Sequence, residues 1–262
     1  MTETLLADHA DGVATFTINR PAVKNAVDAD TMIALREAIE SCESDGKTRC
    51  IVIAGAGGAF SSGADIVAAL QSGLTIDDVY RVLTEAYAPT LLAIRGSSWP
   101  VIAAVDGIAA GIGSDMALAC DLRLVSERGA FSEIFIKVGL IPDGGGTYTL
   151  PRLIGLGRAM ELMFTGDKVD ADKAVAWGMA NARFGAETFA ADVQEYAARI
   201  ARQAPLALTR GKRAMLAAQA EGDYAAALRR EAAAQREIFG SEDGFEGFRA
   251  FAEKRPPAWK GR

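Results

Sequence analysis

The feature that most constrains the fold is one short apolar run, CIVIAG at 50–55, which contains no charged residue. A strand with one wet face alternates apolar and polar residues, whereas a strand covered on both faces is apolar throughout. The run therefore predicts a central strand of a sheet that has helices on both sides. This arrangement is an α/β fold with a layered core.

Further elements of the first half follow from periodicity. GVATFTINR at 12–20 alternates with a period of two and predicts a strand, with the polar LLADHADG as its approach. VIAAVDG at 101–107 and LRLVSE at 122–127 predict two more strands, with a short helix between them that starts near Gly113. A helix capped by Asp28 or Asp30 follows the first strand, and Pro89 is expected to interrupt a helical stretch that begins near Thr75. The apolar residues of the capped helix fall at helical spacing: Met32, Leu35, Ile39 and Cys42.

The second half of the chain changes character. From about Gly155 almost every pattern is helical, and alanine, the best helix former, dominates the later segments. We divide the chain into an α/β core at 1–195 and a helical region at 196–262, which contains the last of these helical segments. The helical region is expected to pack on the core or on a neighbouring subunit.

Composition excludes several kinds of site. His9 is the only histidine, so zinc sites built on three histidines and imidazole-based triads cannot be assembled. A net charge of −6 argues against nucleic acid as a partner. We predict no metal, and Cys42, Cys50 and Cys120 are expected to be buried thiols of a reducing compartment. No segment has the pattern of a signal peptide or a membrane span, so the expected location is the cytoplasm.

Three segments place glycines beside an acidic residue. They are AFSSGADI at 59–66, DGIAAGIGSD at 106–115 and VGLIPDGGGT at 138–147, called here the first, second and third loops. Glycine allows a sharp turn or a close backbone approach, and the free N–H groups at a following helix start suit an anionic oxygen. Any one of these loops alone could equally be an ordinary turn.

Taken together and in this order, the loops resemble the enoyl-CoA hydratase/isomerase family, the crotonase superfamily. Further matching blocks are TINRPAVKNAVD, WPVIAAVDGIAAGIGSDMALACDLRL, AMELMFTGDKVDADKAVAWGMAN and GFRAFAEKRPPAWKGR. The resemblance implies a spiral of repeated ββα units with a helical C-terminal region. It also implies an acyl-CoA substrate, no cofactor beyond that CoA, and assembly into trimers or hexamers.

The resemblance further implies an oxyanion hole. Its two backbone N–H donors match Ala64 and Ile112, and they would stabilise the negative charge that develops on a thioester oxygen. The family often has glycine at position 112. The donor is a backbone group, so isoleucine keeps it, but the branched side chain puts the shape of the acyl pocket in doubt.

The acid/base positions of the family are altered. Family hydratases use two glutamates around a water, and these positions match Asp115 and Phe135. Glu133 lies two residues from the second position. Some isomerases of the family carry an aspartate at the position of Asp143, and GLIPDGGGTYTLPRLIG is most similar to the ring-type isomerases of phenylacetate degradation. Asp143 beside an apolar Phe135 therefore favours isomerisation, in which one carboxylate takes and returns a proton without water.

Both aspartates also have structural interpretations. Asp143 could be a turn or cap residue, and Asp115 could be a first-turn helix residue favoured by the helix dipole. A family dehalogenase uses an aspartate at the position of Asp143 as a nucleophile, but it needs a histidine, and His9 lies in the wrong part of the chain.

Substrate contacts are also implied by the resemblance. The adenine and pantetheine parts of CoA would meet the backbone around Lys24, Ala26, Ala64, Asp65 and Ile66. Phe251 and Lys254 match C-terminal positions that often reach the nucleotide, although FRAFAEKR could equally be an amphipathic terminal helix.

Three functions remain open at this stage. Isomerisation of an enoyl-CoA is favoured, hydration of a 2-enoyl-CoA is the alternative, and a non-catalytic CoA-ester-binding or moonlighting role is the third, since a fold does not fix a function.

Overall fold

The computed structural model describes residues 4–73 and 75–262. The first three residues of the predicted core, and Leu74, lie outside the described residues. In the described part, six strands form one large sheet in the order β1-β2-β3-β4-β6-β9. β1 and β2 are antiparallel, and the remaining neighbours are parallel. The strands are β1 (Leu5–Ala10), β2 (Val13–Ile18), β3 (Cys50–Gly55), β4 (Val101–Val105), β6 (Leu122–Ser126) and β9 (Ala182–Phe184).

The central strand β3 is covered on both faces, as the run CIVIAG predicts. Ile51 and Ile53 belong to one core cluster, on the side of the helix that follows β2. Cys50 and Val52 belong to a second cluster on the opposite face. Because neighbouring residues of a strand point to opposite faces, a strand between two dry layers needs apolar residues at every position.

A small second sheet holds the site in place. It has the order β5-β7-β8, with β5 (Ile108–Ala110) parallel to β7 (Ala130–Ser132) and β7 antiparallel to β8 (Lys168–Asp170). β4 and β6 of the large sheet are each followed by a strand of the small sheet and then by a helix. This repeat is the ββα spiral that was predicted.

The helices of the first half are α1 (Ala29–Ser41), α2 (Ile66–Gln71), α3 (Ile76–Arg81), α4 (Ala88–Gly96), α5 (Ile112–Ala119) and α6 (Gly146–Ile154). Asp28 caps α1 by accepting a hydrogen bond from Thr31 N at 2.8 Å, which is one of the two predicted caps. The chain is wound as a wide π turn at Val82–Tyr87, and Pro89 then stands in the first turn of α4, where its missing N–H costs nothing. The predicted interruption therefore lies just before the proline.

The second half contains α7 (Leu156–Thr165), α8 (Ala171–Trp177), α9 (Phe189–Ala201), α10 (Pro205–Glu221), α11 (Tyr224–Phe239) and α12 (Glu242–Glu253). α9 packs on the second face of the large sheet through its apolar side. The predicted boundary at residue 195 falls inside this helix. The helices that follow it, from residue 205 onward, form the C-terminal helical region.

Two expectations for strands were wrong. LLADHADG is not an approach to a strand, because residues 5–10 are themselves β1, and His9 pairs there with Ala14. Its polar residues are tolerated because β1 is the edge of the sheet. The second half is also less purely helical than predicted, since β8 and β9 lie within it. Each has only three residues, too few to show a period.

The search of the described residues for a helix both long and apolar enough to span a bilayer finds none.

Asn25 ties together the chain segments that lead to the first loop. It is fully buried in a left-handed conformation, with φ of 57°. Its Nδ2 donates to the carbonyl oxygens of Ala56 and Ala59, each at 2.7 Å. Its Oδ1 accepts from Arg20 N at 2.9 Å. One side chain therefore satisfies three backbone groups of two separate turns.

We expect Asn25→Ala to lower the free energy of unfolding by about 2–4 kcal/mol, because buried backbone groups lose their partners. Asn181→Ala is the matched control. Asn181 is exposed, its Oδ1 accepts one bond from Arg123 N, and water can replace it, so a loss of about 1 kcal/mol or less is expected. Urea unfolding followed by circular dichroism measures both, and equal losses would contradict the prediction.

Candidate active site

The first and second loops run side by side. Phe60 N and Ser61 N both donate to Ile108 O at 3.0 Å, and Ala110 N donates to Ser61 O at 2.9 Å. Ser61 and Ala109 form a parallel bridge. These bonds fix the end of β3 against β5, and therefore the first loop against the start of α5.

Three glycines make this approach possible. Gly63 has φ of +103°, and a Cβ there would lie 2.9 Å from the carbonyl oxygen of Ala110. Gly111 has φ of 52° and ψ of −129°, a region that only glycine adopts readily. A Cβ on Gly113 would lie 2.7 Å from atoms of Ser61. The glycine-rich pattern in the sequence thus reflects backbone contact between the two loops.

Two backbone N–H groups remain free where the loops meet. Among the described residues, neither Ala64 N nor Ile112 N donates to an acceptor. Ile112 is the first residue of α5, whose N–H cannot bond within the helix and carries the positive end of the helix dipole. Both groups are available to an oxygen atom that gains negative charge. The Ile112 side chain is buried and contacts the third loop at Gly144.

Three carboxyl groups lie on the segments around the second donor: α5, the end of β7 and the third loop. Asp115, in the first turn of α5, is 0% exposed, and Glu133 is 1% exposed. Asp143, in the third loop, is exposed. Asp115 Oδ2 accepts a hydrogen bond from Gly144 N at 2.9 Å, which ties the third loop to α5. Asp115 Oδ1 and both oxygens of Glu133 have no hydrogen-bond partner among the described residues.

Burial raises the pKa of all three groups. Loss of solvation is the largest cause for the pKa of Asp115, followed by the charge of Glu133. Loss of solvation also raises the pKa of Glu133, to about 7, where the nearby Ser114 hydroxyl lowers it and the charge of Asp143 raises it. The Asp143 carboxyl group is partly shielded from solvent, so loss of solvation raises its pKa, while a hydrogen bond from its own backbone lowers it. Each group therefore favours its neutral form more than an exposed carboxyl does.

Phe135 forms an apolar wall beside the free N–H groups. Its side chain is 7% exposed. The ring atom Cζ would lie 3.7 Å from a Cβ on Gly111, the residue directly before Ile112. Phe135 thus fills the space next to the second donor with a ring that can neither donate nor accept a proton.

Comparisons with known proteins identify the family of the chain. A family model described as enoyl-CoA hydratase/isomerase matches residues 8–262. The chain belongs to the enoyl-CoA hydratase/isomerase family. The family recognised from the sequence motifs is thereby confirmed.

Some similar relatives are named as hydratases and others as isomerases. The chain is 37% identical over 99% of its length to a Rhodobacter capsulatus protein named probable enoyl-CoA hydratase, of which it covers 98%. It is 34% identical to the 1,2-epoxyphenylacetyl-CoA isomerase of Escherichia coli, with all of both chains covered. Among solved structures, the enoyl-CoA hydratase of Bacillus anthracis superposes with a TM-score of 0.94 at 30% identity, over 99% of this chain and 100% of that one.

Four predicted CoA-contacting residues of this enoyl-CoA hydratase/isomerase family member lie near the first loop. Lys24 is exposed, and its carbonyl oxygen accepts from Ser62 N at 2.9 Å. Ala26 is buried, its N–H donates to Val23 O, and its carbonyl oxygen accepts from Arg20. Asp65 and Ile66 follow Ala64 directly, and Ile66 is half exposed.

Asp65 has a structural task as well. Its carboxylate pairs with Arg20 Nη2 at 2.8 Å and caps α2 by accepting from Ala68 N at 3.1 Å. Sequence reasoning missed Arg20 because a single arginine after a strand carries no distinguishing signal. Arg20 joins β2 to the first loop, and so supports the position of Ala64.

Phe251 and Lys254 lie elsewhere in the described chain. Phe251 stands on α12 with 87% of its surface exposed, and Lys254 ends that helix in a left-handed conformation. No described contact joins either residue to the three loops. Their predicted role in binding the nucleotide, within the same subunit or a neighbouring one, stays a prediction.

Tyr87 was also missed. Its hydroxyl donates to Val27 O at 3.0 Å, and its ring is buried. Burial raises the pKa of Tyr87, and the charge of Asp143 is the next largest cause. Tyr87 ends the π turn before α4.

We expect Gly113→Ala to reduce enoyl-CoA turnover by about 10²-fold, because the new Cβ pushes the first and second loops apart and misplaces the two N–H donors. The matched control is Gly157→Ala, at another helical glycine, where a Cβ meets nothing within 4 Å. The control should keep wild-type turnover. Steady-state kinetics with matched circular dichroism spectra test this, and full activity in Gly113→Ala would contradict it.

Proposed function

We propose that this protein is an enoyl-CoA isomerase, which moves a double bond by forming a thioester enolate and relocating one proton. Ala64 N and Ile112 N would hold the thioester oxygen, and Asp143 would carry the proton. The proposed steps need no metal and no cofactor besides the CoA of the substrate. An acyl-CoA thioester is the proposed small-molecule partner, and a cytoplasmic trimer or hexamer is the proposed assembly.

One observation carries this proposal. Of the three carboxyl groups near the free donors, Asp143 is the exposed one, whereas Asp115 and Glu133 are sealed from solvent. A general base must come within about 3 Å of the proton that it removes. The exposure of Asp143 supports it as the carboxyl group that a substrate would reach, and the burial of the other two argues against them.

The surroundings of Asp143 suit a base. Partial burial raises its pKa, so the carboxylate binds a proton more strongly than an exposed aspartate does. Phe135 supplies an apolar wall beside the oxyanion donors, which keeps water from the enolate. The two N–H donors stabilise the charge that appears only as the proton leaves, which lowers the barrier rather than the energy of the bound substrate.

Hydration of a 2-enoyl-CoA is the second candidate, favoured by the relative named as a hydratase. It would require a water placed by Asp115 and Glu133. Against it stand the burial of that pair and the phenyl ring at position 135. The two reactions change the ultraviolet absorbance of the conjugated thioester in opposite directions, because hydration destroys the conjugation and isomerisation of a 3-enoyl-CoA creates it.

We expect Asp143→Asn to lower the isomerisation of 3-enoyl-CoA by about 10²–10⁴-fold, because the amide cannot accept a proton. Asp8→Asn, at an exposed aspartate of β1, is the control and should retain activity. Rapid hydration of 2-enoyl-CoA that is lost in Glu133→Gln but kept in Asp143→Asn would overturn the isomerase proposal in favour of the hydratase.

The pH dependence gives a further prediction. Asp143 must be ionised to act as the base, and its pKa is raised above the ordinary value of 3.8. On the acid side, activity should therefore be lost as the pH falls through this raised pKa. A kcat/KM profile for 3-enoyl-CoA measures this acid limb. A limb at or below the pKa of an exposed aspartate would contradict the assignment.

A further inference from the structure

Glu133 is an unusual residue for the place that it occupies. It follows β7 and precedes the short 3₁₀ turn Ile134–Val138, with only 1% of its surface exposed. Neither carboxyl oxygen has a hydrogen-bond partner, and no cationic side chain of the described residues pairs with it. A buried charge without a partner is strongly unfavourable, so the group must be explained by its neighbours.

Asp115 is an acidic neighbour of Glu133, and one carboxyl oxygen of each residue lies beside Gly146. A Cβ on Gly146 would lie 2.4 Å from Asp115 Oδ1 and 3.2 Å from Glu133 Oε2. Both of these oxygens lack a partner. The two oxygens therefore border the same small space, where Gly146 has no side chain at the start of α6, and they reach it from α5 and from the end of β7.

The third loop is packed against this pair at two glycines. Gly144 N donates to Asp115 Oδ2 at 2.9 Å. A Cβ on Gly144 would lie 2.6 Å from Asp115 Cβ, and Gly146 leaves no room for a side chain beside either carboxyl group. Asp143 directly precedes Gly144, so the position of Asp143 depends on how this pair holds the loop.

We propose that Asp115 and Glu133 share a proton, and that the protonated pair holds the third loop against α5 so that Asp143 faces the oxyanion donors. Glu133 is then a positioning residue of the reaction, acting through Asp143. The positioning part of this proposal rests on the proposed isomerase function, whereas the shared proton does not.

The pair is expected to keep a proton because two carboxylates, those of Asp115 and Glu133, would repel each other strongly in a site that is shielded from solvent. Two carboxylates that approach the same point cannot both ionise at ordinary cost, so the pair retains a proton at pH values where an exposed pair would have lost both. The groups that face the pair are Ser114, Asp143 and, beyond Asp143, Tyr87. None of these supplies a positive charge that would favour ionisation.

A rising pH should therefore loosen the third loop. When Glu133 loses its proton, its charge repels Asp115 and Asp143, and the loop that Gly144 and Gly146 hold in place can relieve the repulsion by moving away. Asp143 then leaves its position opposite the donors. Because the pKa of Glu133 is raised from 4.5 to about 7, the folded protein loses stability between these two values, and the loop loosens above the higher one.

The shared proton is tested directly by carbon-13 NMR of protein labelled at the glutamate carboxyl carbon, titrated from pH 5 to 9. We expect one glutamate resonance to titrate about two units above the rest, and to be absent in Glu133→Gln but present in Glu161→Gln, a variant of an exposed glutamate. A Glu133 resonance that shows full ionisation at pH 5 overturns the proposal. This measurement does not depend on enzymatic activity.

The positioning role is tested by pH profiles of kcat/KM and of Tm for wild type, Glu133→Gln and Glu161→Gln. Glutamine has the shape of the protonated acid and cannot ionise. We expect wild type and Glu161→Gln to lose at least about tenfold in kcat/KM from pH 6 to 9, and Glu133→Gln to lose less than about twofold, since each pH unit above a pKa removes about nine-tenths of the protonated form. The Tm of Glu133→Gln relative to wild type should rise by several degrees from pH 5 to 8.

Superimposable profiles of wild type and Glu133→Gln would overturn the positioning role, as would an equal loss of activity in Glu133→Gln at every pH. If the NMR titration shows the raised Glu133 resonance but neither wild type nor any variant isomerises 3-enoyl-CoA, the proposed function is wrong and the shared proton is supported.

Discussion

The site depends on the direct backbone contact between the first and second loops. Phe60, Ser61 and Ala110 use their N–H groups to join the end of β3 to β5. Among the described residues, the N–H groups of Ala64, in the first loop, and of Ile112, at the start of α5, then have no acceptor. A side chain at Gly63 or Gly113 would break this contact. Because the donors are backbone atoms held in place by the contact, they are fixed before any substrate binds, which is the condition for electrostatic stabilisation of a transition state.

The buried acidic residues Asp115 and Glu133 reduce the stability of the folded protein. Every residue of α5 is buried, yet the helix carries Asp115, which receives one hydrogen bond from Gly144 and faces a second carboxyl group rather than a cation. Such an arrangement opposes folding, and the surrounding core, with Phe131 of β7 and Met116 of α5 fully buried, holds it in place. Perturbed carboxyl groups of this kind cluster at functional sites.

Much of the fold could be predicted, and the exceptions have physical causes. The run CIVIAG predicted β3 correctly because a strand that is covered on both faces is apolar at every position, and such a run is easy to recognise. The capping aspartate of α1 was visible as one of two candidates. β5, β7, β8 and β9 were missed because three residues cannot show a period, and these strands exist only through pairing with distant segments. β1 was missed because an edge strand tolerates polar residues.

The sequence by itself determined the family, the two loops that supply backbone donors and, through its single histidine, the restriction of proton transfer to groups other than imidazole. It also favoured Asp143 over Asp115 and Glu133 as the proton carrier. Only the tertiary structure gave the three carboxyl groups their different environments, by leaving Asp143 exposed while Asp115 and Glu133 are buried. The reason is that the environment of a carboxyl group is set by whatever packs around it. Here those neighbours come from α5, the end of β7 and the third loop, which are brought together only when the chain folds.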